Sequence, residues 1–448
     1  MTIPPIRSSL FVHEDARRYP ALAGDREADV VVVGGGIAGT TTAALLGRAG
    51  LEVVLLEARE IGTGTTGRST AKATALQSIR YQVIANEHGA TGASRFATAQ
   101  LDALAWMDEQ VRALGVDCEW ERRPAITYAM TPDGRPKIEE EARAAAAAGL
   151  HVTLEESFDE LPFPTSGGVV LADQAQLDPG PYLAALAAEL ADRPNGTVHE
   201  QSRVTAVKGR RKHQVVTEHG TVTADHVVVA TLLPIVDRGL FFARAEPRSS
   251  YVVAVAVDGP IPQGMYINPD GATRSLRTSR DRDGREVLLI GGGGHDTGRG
   301  SPTSEHYEEL IGWASEHFPG TETVARWSAH DYVPADHLPW VGSAFPLTPR
   351  VLVATGFEKW GITMGTAAAL ALADRVLGES DGPSAPWASL FDPGRTRPRG
   401  LVSAARINAE VAGRMASDWL RPDAPAAADG SGRRHRDGLL PVGDPVAG

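Results

Sequence analysis

Cysteine occurs once in this 448-residue chain, at Cys118. A single thiol excludes an intrachain disulfide and any zinc or iron–sulfur centre built from several cysteines, and no metal site is expected. Positive charge is also in short supply: Lys and Arg number 44 against 56 Asp and Glu, a formal net charge of −12. That balance argues against a nucleic-acid or anionic-membrane partner. No apolar run approaches the ~20 residues of a membrane-spanning helix. The first twenty residues carry His13, Glu14, Asp15, Arg17 and Arg18 and lack the apolar stretch of a secretory signal. Internal repeats are absent. These absences point to a cytoplasmic protein with no membrane contact.

What remains is an ordinary globular composition, 42% hydrophobic and 22% charged, with length for two or three packed regions. Residues 1–28, interrupted by Pro4, Pro5 and Pro20, read as an irregular lead-in. Asp29 to Val33 is a β-branched run typical of a parallel strand buried on both faces. A glycine turn, a helical stretch from Ile37 to Ala49 and a second apolar strand, Leu51 to Leu56, follow it. Helices are expected over 92–114, 136–149 and Pro181 to Leu190, and strands at Val204–Val207, Gln214–Thr217 and His226–Val229. Residues 250–295 are strand-rich, with a hairpin turn at Asp283-Gly284. Val351–Ala354 and a helix from Gly365 to Leu377 restore strand-then-helix.

Gly34-Gly35-Gly36-Ile37-Ala38-Gly39 satisfies G-x-G-x-x-G at Gly34, Gly36 and Gly39. The first glycine permits the tight turn, the second lets the backbone approach a pyrophosphate, and the third brings helix close to strand. Glu57, 18 residues beyond Gly39 and followed by Ala58, ends the second strand where a carboxylate accepts from ribose hydroxyls and repels an NADP phosphate. The fingerprint suits FAD and NAD alike. The segment Gly62 to Lys72, with Thr65, Thr66, Ser69 and Thr70 among glycines, is suited to wrapping a ribityl–pyrophosphate chain.

With those residues in view, the chain resembles the D-amino-acid oxidase superfamily of flavoenzymes, which includes glycine and sarcosine oxidases. The similarity runs from about residue 29 to 395 and includes Arg203–Val207, Ala224–Thr231 and Ala354–Gly365. The resemblance implies FAD as cofactor, with Val204 meeting the adenine and Thr231 and Gly356 on the cofactor path. It also implies that Gly361, Ile362, Thr363 and Met364 face the flavin pyrimidine, where a helix N-terminus stabilises negative charge on the reduced ring. A closer resemblance is to a bacterial branch that carries a C-terminal Rieske [2Fe–2S] domain. It rests on Thr65–Lys72, Gly264–Tyr266, Thr273–Arg277, Trp327–Tyr332 and Phe391–Pro393. Two departures stand out: one cysteine cannot supply a Rieske cluster, and His330 stands where the branch usually has Gln.

The resemblance implies oxidation of an amine or amino acid to an imine, and it places Lys72 and Trp360 beside the flavin. His330, Tyr251, Arg274 and Arg277 are candidates from the substrate sheet, an arginine there being suited to clamp a carboxylate. Val287–Ile290 lacks the lysine that sarcosine oxidases use to activate oxygen, and Gly291–Gly294 reads as a close approach of backbone. The expected fold is α/β. A discontinuous Rossmann-like FAD domain (29–85, 150–235, 336–395), on a mostly parallel sheet, joins an antiparallel-sheet substrate domain (86–149, 236–335). A helix is expected over 396–421 and a disordered tail over 422–448. With only His435 and no cysteine after Leu420, electrons are expected to leave for oxygen or a separate carrier. Two rival readings stay open, a tailoring oxidase or desaturase of a larger metabolite and an electron-relay flavoprotein subunit. An NAD-only dehydrogenase is a third.

Overall fold

The computed structural model describes residues 9–236, 239–297, 302–345, 347–378 and 385–395. The helix and tail expected over 396–448 lie outside the described residues. In chain order the elements begin with β1 (Arg26–Val33), α1 (Ile37–Arg48), β2 (Val53–Leu56), β3 (Lys72–Ala73) and α2 (Arg80–Leu114). Next come β4 (Glu121–Tyr128), α3 (Arg135–Ala147), β5 (Val152–Glu155), β6 (Gly168–Gln176) and α4 (Pro179–Ala191). They are followed by β7 (Gly196–His199), β8 (Val204–Lys208), β9 (His213–Thr217) and β10 (Thr221–Val229). The strand-rich middle holds β11 (Ala245–Ala256), β12 (Met265–Ile267), β13 (Ser275–Arg280), β14 (Glu286–Asp296), α5 (Thr303–His317) and β15 (Glu322–Pro334). β16 (Trp340–Ser343), β17 (Val351–Thr355) and α6 (Gly361–Leu377) complete the described elements.

Two sheets organise these elements. The first runs β16-β17-β10-β1-β2-β7, parallel from β17 to β7, with β16 antiparallel at its edge and the β8–β9 hairpin attached through β10. Its centre explains the valine run of β1. Val30 and Val32 face a core shared with Leu46, Met364 and Ala367, while Val31 and Val33 face Val204, Val215 and Trp340 on the other side. A strand buried on both faces has no polar face to alternate with. The second sheet runs β15-β11-β14-β13-β12-β4-β6-β3, with β5 on β6. It is antiparallel except where β12 runs parallel to β4. One face packs Val253, Val255, Leu288 and Ile290 against Leu310 and Ala314 of α5.

Local chemistry sets the ends. Asp178 caps α4 by accepting from Gly180 N at 2.9 Å. α2 starts well before the expected residue 92 and breaks at Gly89, whose φ of 76° only glycine adopts freely. The Asp283-Gly284 turn joins β13 to β14 as expected, with Gly284 at φ 79°. β3, β5 and β6 hydrogen-bond into the second sheet, whereas 29–85 and 150–235 were expected to lie wholly with the first. A short apolar strand carries no mark of which sheet it will join, so the chain crosses between the sheets more often than its sequence suggests.

The described chain ends on a buried ion pair. Arg395 meets Asp336 at 2.7 Å, both side chains under 10% exposed, and donates to the carbonyls of Pro339 and Phe391. Burial alone would raise the Asp336 pKa, but Arg395 overrides it and holds the carboxyl below its ordinary value. Arg395→Met should cost about 3 kcal/mol in urea unfolding at pH 7, because Asp336 is left buried without its cation. A depressed carboxylate pKa stabilises above its unfolded value, so the gap between wild type and variant should narrow as pH falls below about 4.

Candidate functional site

Two helix N-termini converge beside β1. Gly34 turns at φ 109°, and a Cβ there would lie 2.4 Å from Ala230 O and 3.5 Å from Thr231 N. A Cβ on Gly39 would fall 1.9 Å from Gly34 O. Gly36 differs: its side is open except for Thr66 Oγ1 at 3.2 Å, and that hydroxyl accepts from Ile37 N at 3.1 Å. Glu57 accepts from Gly35 N at 2.7 Å and from Arg59 N at 2.8 Å, which fixes the carboxylate beside the turn, with Ala58 between. Neither α1 nor α6 has a capping side chain at its N-cap, Gly36 and Trp360 respectively. Gly365 brings the two together, since a Cβ there would sit 2.6 Å from Ile37 Cγ2 and 3.7 Å from Ala38 Cβ. First-turn amides and two neighbouring helix N-termini suit an anionic ligand. This donor set, with an open Gly36 and a fixed Glu57, fits the pyrophosphate and ribose of a dinucleotide such as FAD.

Lys72 lies on the far side of that junction. It follows a strained turn, Ala71 at φ 49°, and its Nζ donates to Tyr266 O and Ser275 Oγ, both at 2.8 Å. Full burial, and then the nearby Arg277 charge, push its pKa well below the ordinary lysine value. Arg277 itself is not free to clamp a carboxylate with its Nε or Nη1. Those donate to the carbonyls of Thr278, Thr70, Ala71 and Leu177 and so hold the turn that presents Lys72. Two residues beyond Lys72, Thr74 N donates to Thr363 Oγ1 at 3.2 Å, tying β3 to the first turn of α6. Gln100 Nε2 reaches Met364 Sδ one residue further on. Arg274, the other arginine considered, pairs with Glu309 at 2.6 Å away from this junction.

The loop from Gly356 to Trp360 feeds α6. Glu358 and Lys359 both adopt left-handed backbone, at φ 48° and 69°. Glu358 forms an ion pair with buried Arg80 and meets His337 Nδ1 at 3.1 Å, while Arg80 Nη2 donates to His337 O at 2.6 Å. Burial would raise the Glu358 pKa, but Arg80 and His337 hold it below the ordinary carboxylate value, and the same contact raises His337. Asp331 accepts from Lys359 N and Tyr332 N, yet burial lifts its pKa to about 6.

On the second sheet, Tyr251 Oη meets His295 Nε2 at 3.0 Å, and its ring stacks on His306 at 4.6 Å. The two imidazoles stack on each other at 4.6 Å and 10°. His330 stands at the exposed rim, its Nδ1 on Ser249 Oγ at 3.0 Å and its carbonyl accepting from Thr65 Oγ1 at 3.2 Å. Partial desolvation, then the Arg68 and His295 charges, lower its pKa. Thr70 lies beside Gly291, where a Cβ would be 3.6 Å from its methyl. A Cβ on Gly292 would meet Thr273 O at 2.7 Å, the close approach expected of this glycine run. Val204, on β8, packs into the outer core with Val31 and Val33, and Gly356 turns at φ 79° against Pro334. His295, His306, Arg80, Glu358 and His337 were not anticipated. A histidine closing a glycine run was the one signal in sequence for His295, and Glu358 and Arg80 lie 278 residues apart.

Among the described residues no helix is long and apolar enough to cross a membrane, and no cluster of metal-ligating side chains occurs. The model of FAD-dependent oxidoreductases known as DAO matches residues 29–375. The Bacillus subtilis protein YhfW, named for a Rieske 2Fe-2S iron-sulfur protein, is 33% identical over 416 residues, covering 91% of this chain and 80% of that one. Gamma-glutamylputrescine oxidoreductase of Escherichia coli is 29% identical over 211 residues, 45% of this chain and 48% of its own. Among solved structures, glycine oxidase from Geobacillus kaustophilus superposes with a TM-score of 0.68 at 21% identity, over 83% of this chain and 99% of that one. With the family model spanning most of the chain and the fold agreeing, this protein belongs to the DAO family of FAD-dependent oxidoreductases.

Proposed function

We propose that the protein oxidises the C–H bond beside an amine or amino-acid nitrogen, producing an imine. Bound FAD would supply the acceptor for the two electrons that leave the carbon next to nitrogen as a hydride equivalent. The amine must first give up a proton, and the observation that carries the reading is Lys72. It is fully buried, held on Tyr266 O and Ser275 Oγ, and its depressed pKa leaves Nζ with a lone pair available to accept that proton. Its link through Thr74 to Thr363 places it next to the α6 N-terminus. The names of the glycine oxidase and gamma-glutamylputrescine oxidoreductase relatives support a small amine-like substrate. In this reading Tyr251, His295 and His330 would form the substrate-side wall, and Trp360, the residue before α6, would cover the flavin. Oxygen or a separate carrier then takes the electrons.

The assignment of the glycine turn predicts that Gly36→Val abolishes FAD binding, because a branched side chain would fill the space beside Thr66 Oγ1. Flavin released from the purified variant reads this, and retention of stoichiometric FAD would show that the pyrophosphate lies elsewhere.

For the chemistry, wild-type protein mixed anaerobically with a panel of amines, amino acids and α-hydroxy acids should bleach with the nitrogen compounds alone. Lys72→Met and Trp360→Ala should keep FAD but slow that bleaching at least ~10-fold, about 1.4 kcal/mol of barrier. With a lowered lysine pKa, the wild-type rate should rise with pH as Nζ loses its proton, and this arm should vanish in Lys72→Met. Bleaching by hydroxy acids alone, or unchanged rates in both variants, contradicts the reading.

A further inference from the structure

Two consecutive residues other than glycine in left-handed backbone, Glu358 at φ 48° and Lys359 at φ 69°, stand immediately before Trp360 and the first turn of α6. Such backbone is disfavoured for side chains with a Cβ and persists only where surrounding contacts impose it. Here the contacts come from three separate parts of the chain. Arg80, the first residue of α2, pairs with the Glu358 carboxylate and also donates to His337 O. His337, itself at φ 59°, offers Nδ1 to the same carboxylate at 3.1 Å. Asp331, on β15, accepts from Lys359 N, and Glu358 N donates to Tyr332 O at 3.3 Å. Arg80 is 6% exposed and its guanidinium lies 5.7 Å over the Phe96 ring, so the anchor is fixed on its own side as well.

The geometry points to Arg80, Glu358 and His337 as a positioning network for the flavin, holding the loop before α6 in left-handed backbone so that the helix N-terminus and Trp360 meet the ring. None of the three need touch the cofactor. Their effect passes through the amides of Gly361 to Met364, whose dipole favours the extra negative charge of the reduced flavin. The inference rests on FAD as the cofactor and not on the identity of the substrate.

The midpoint potential of bound FAD tests it, after flavin content has been measured in each protein. Glu358→Ala removes the clamp and keeps a Cβ that resists φ 48°. It should bind FAD and lower the potential by about 30 mV, a tenfold loss of preference for the reduced form in a two-electron couple. Direction decides the matter, since deleting a negative charge near the flavin without moving the loop would raise the potential. Glu358→Gly tolerates the left-handed backbone and should stay closer to wild type than Glu358→Ala. If Glu358→Ala does not fold, Glu358→Gln tests the same point, because the amide keeps the size and the Cβ while the ion pair with Arg80 is lost and the charge deleted is again negative. A potential that is unchanged or raised in the variant read overturns the inference while leaving the FAD assignment intact. A wild-type protein without flavin takes down both.

Discussion

The first turns of α1 and α6 meet where Gly365 leaves no side chain between them and Ile37, and most of the site follows from that contact. Each helix begins without a capping side chain at its N-cap, so the first-turn amides that Thr66 does not take are open to a ligand, and the two positive dipole ends lie close together. Holding two such ends together without an anion is unfavourable, and the protein offsets this by packing. Val30 and Val32 from below and Met364 and Ala367 from above bury the junction in one apolar core. The neighbouring polar parts then have fixed tasks: Glu57 pins the glycine turn, Thr66 reaches the α1 amide, and Thr74 joins β3 to α6.

Some of the chain's left-handed non-glycine residues flank this junction. Ala71 stands in left-handed backbone just before Lys72, and Glu358 and Lys359 do so just before α6. Each site is held by a buried arginine: Arg277 gathers carbonyls under the Ala71 turn, and Arg80 pairs with Glu358. The guanidinium fork suits both tasks, because it satisfies several oxygens from one rigid plane. Arg277 carries no charge partner of its own in its hydrogen-bond set, and its field adds to burial in lowering the Lys72 pKa. A single side chain therefore shapes the turn and adds to the effect of burial on its neighbour.

What was legible in the sequence was whatever local chemistry announces. A β-branched run with no alternation, glycines at turn spacing and an acid at the end of the second strand all specify one βαβ geometry, and β1, α1 and β2 form as read. The hairpin at Asp283-Gly284 is equally local. The stacked Tyr251, His306 and His295 rings were not legible, because they arise from β11, α5 and β14 meeting in space. Arg277 was read as a substrate clamp from its residue type alone, and only its burial shows that the backbone takes its donors first. The crossing of β5 and β6 into the second sheet was hidden for the same reason: pairing partners are a property of the assembled chain.

The weaving of the two sheets bears on how the chain comes to exist at all. β1 pairs with β10, so Val30 waits for His226, and β12 joins the second sheet beside β4, with Met265 opposite Ala125. Neither sheet can be finished from one contiguous stretch of chain. During synthesis one edge of β1 finds β2 early, Val30 beside Val53, whereas the other stays unpaired until nearly two hundred further residues have emerged. High sequence separation of this kind slows folding and leaves apolar strands open to wrong partners. The molecule is thus committed to folding as a whole, with chaperone protection most needed while β1 and β2 are made and β10 is not.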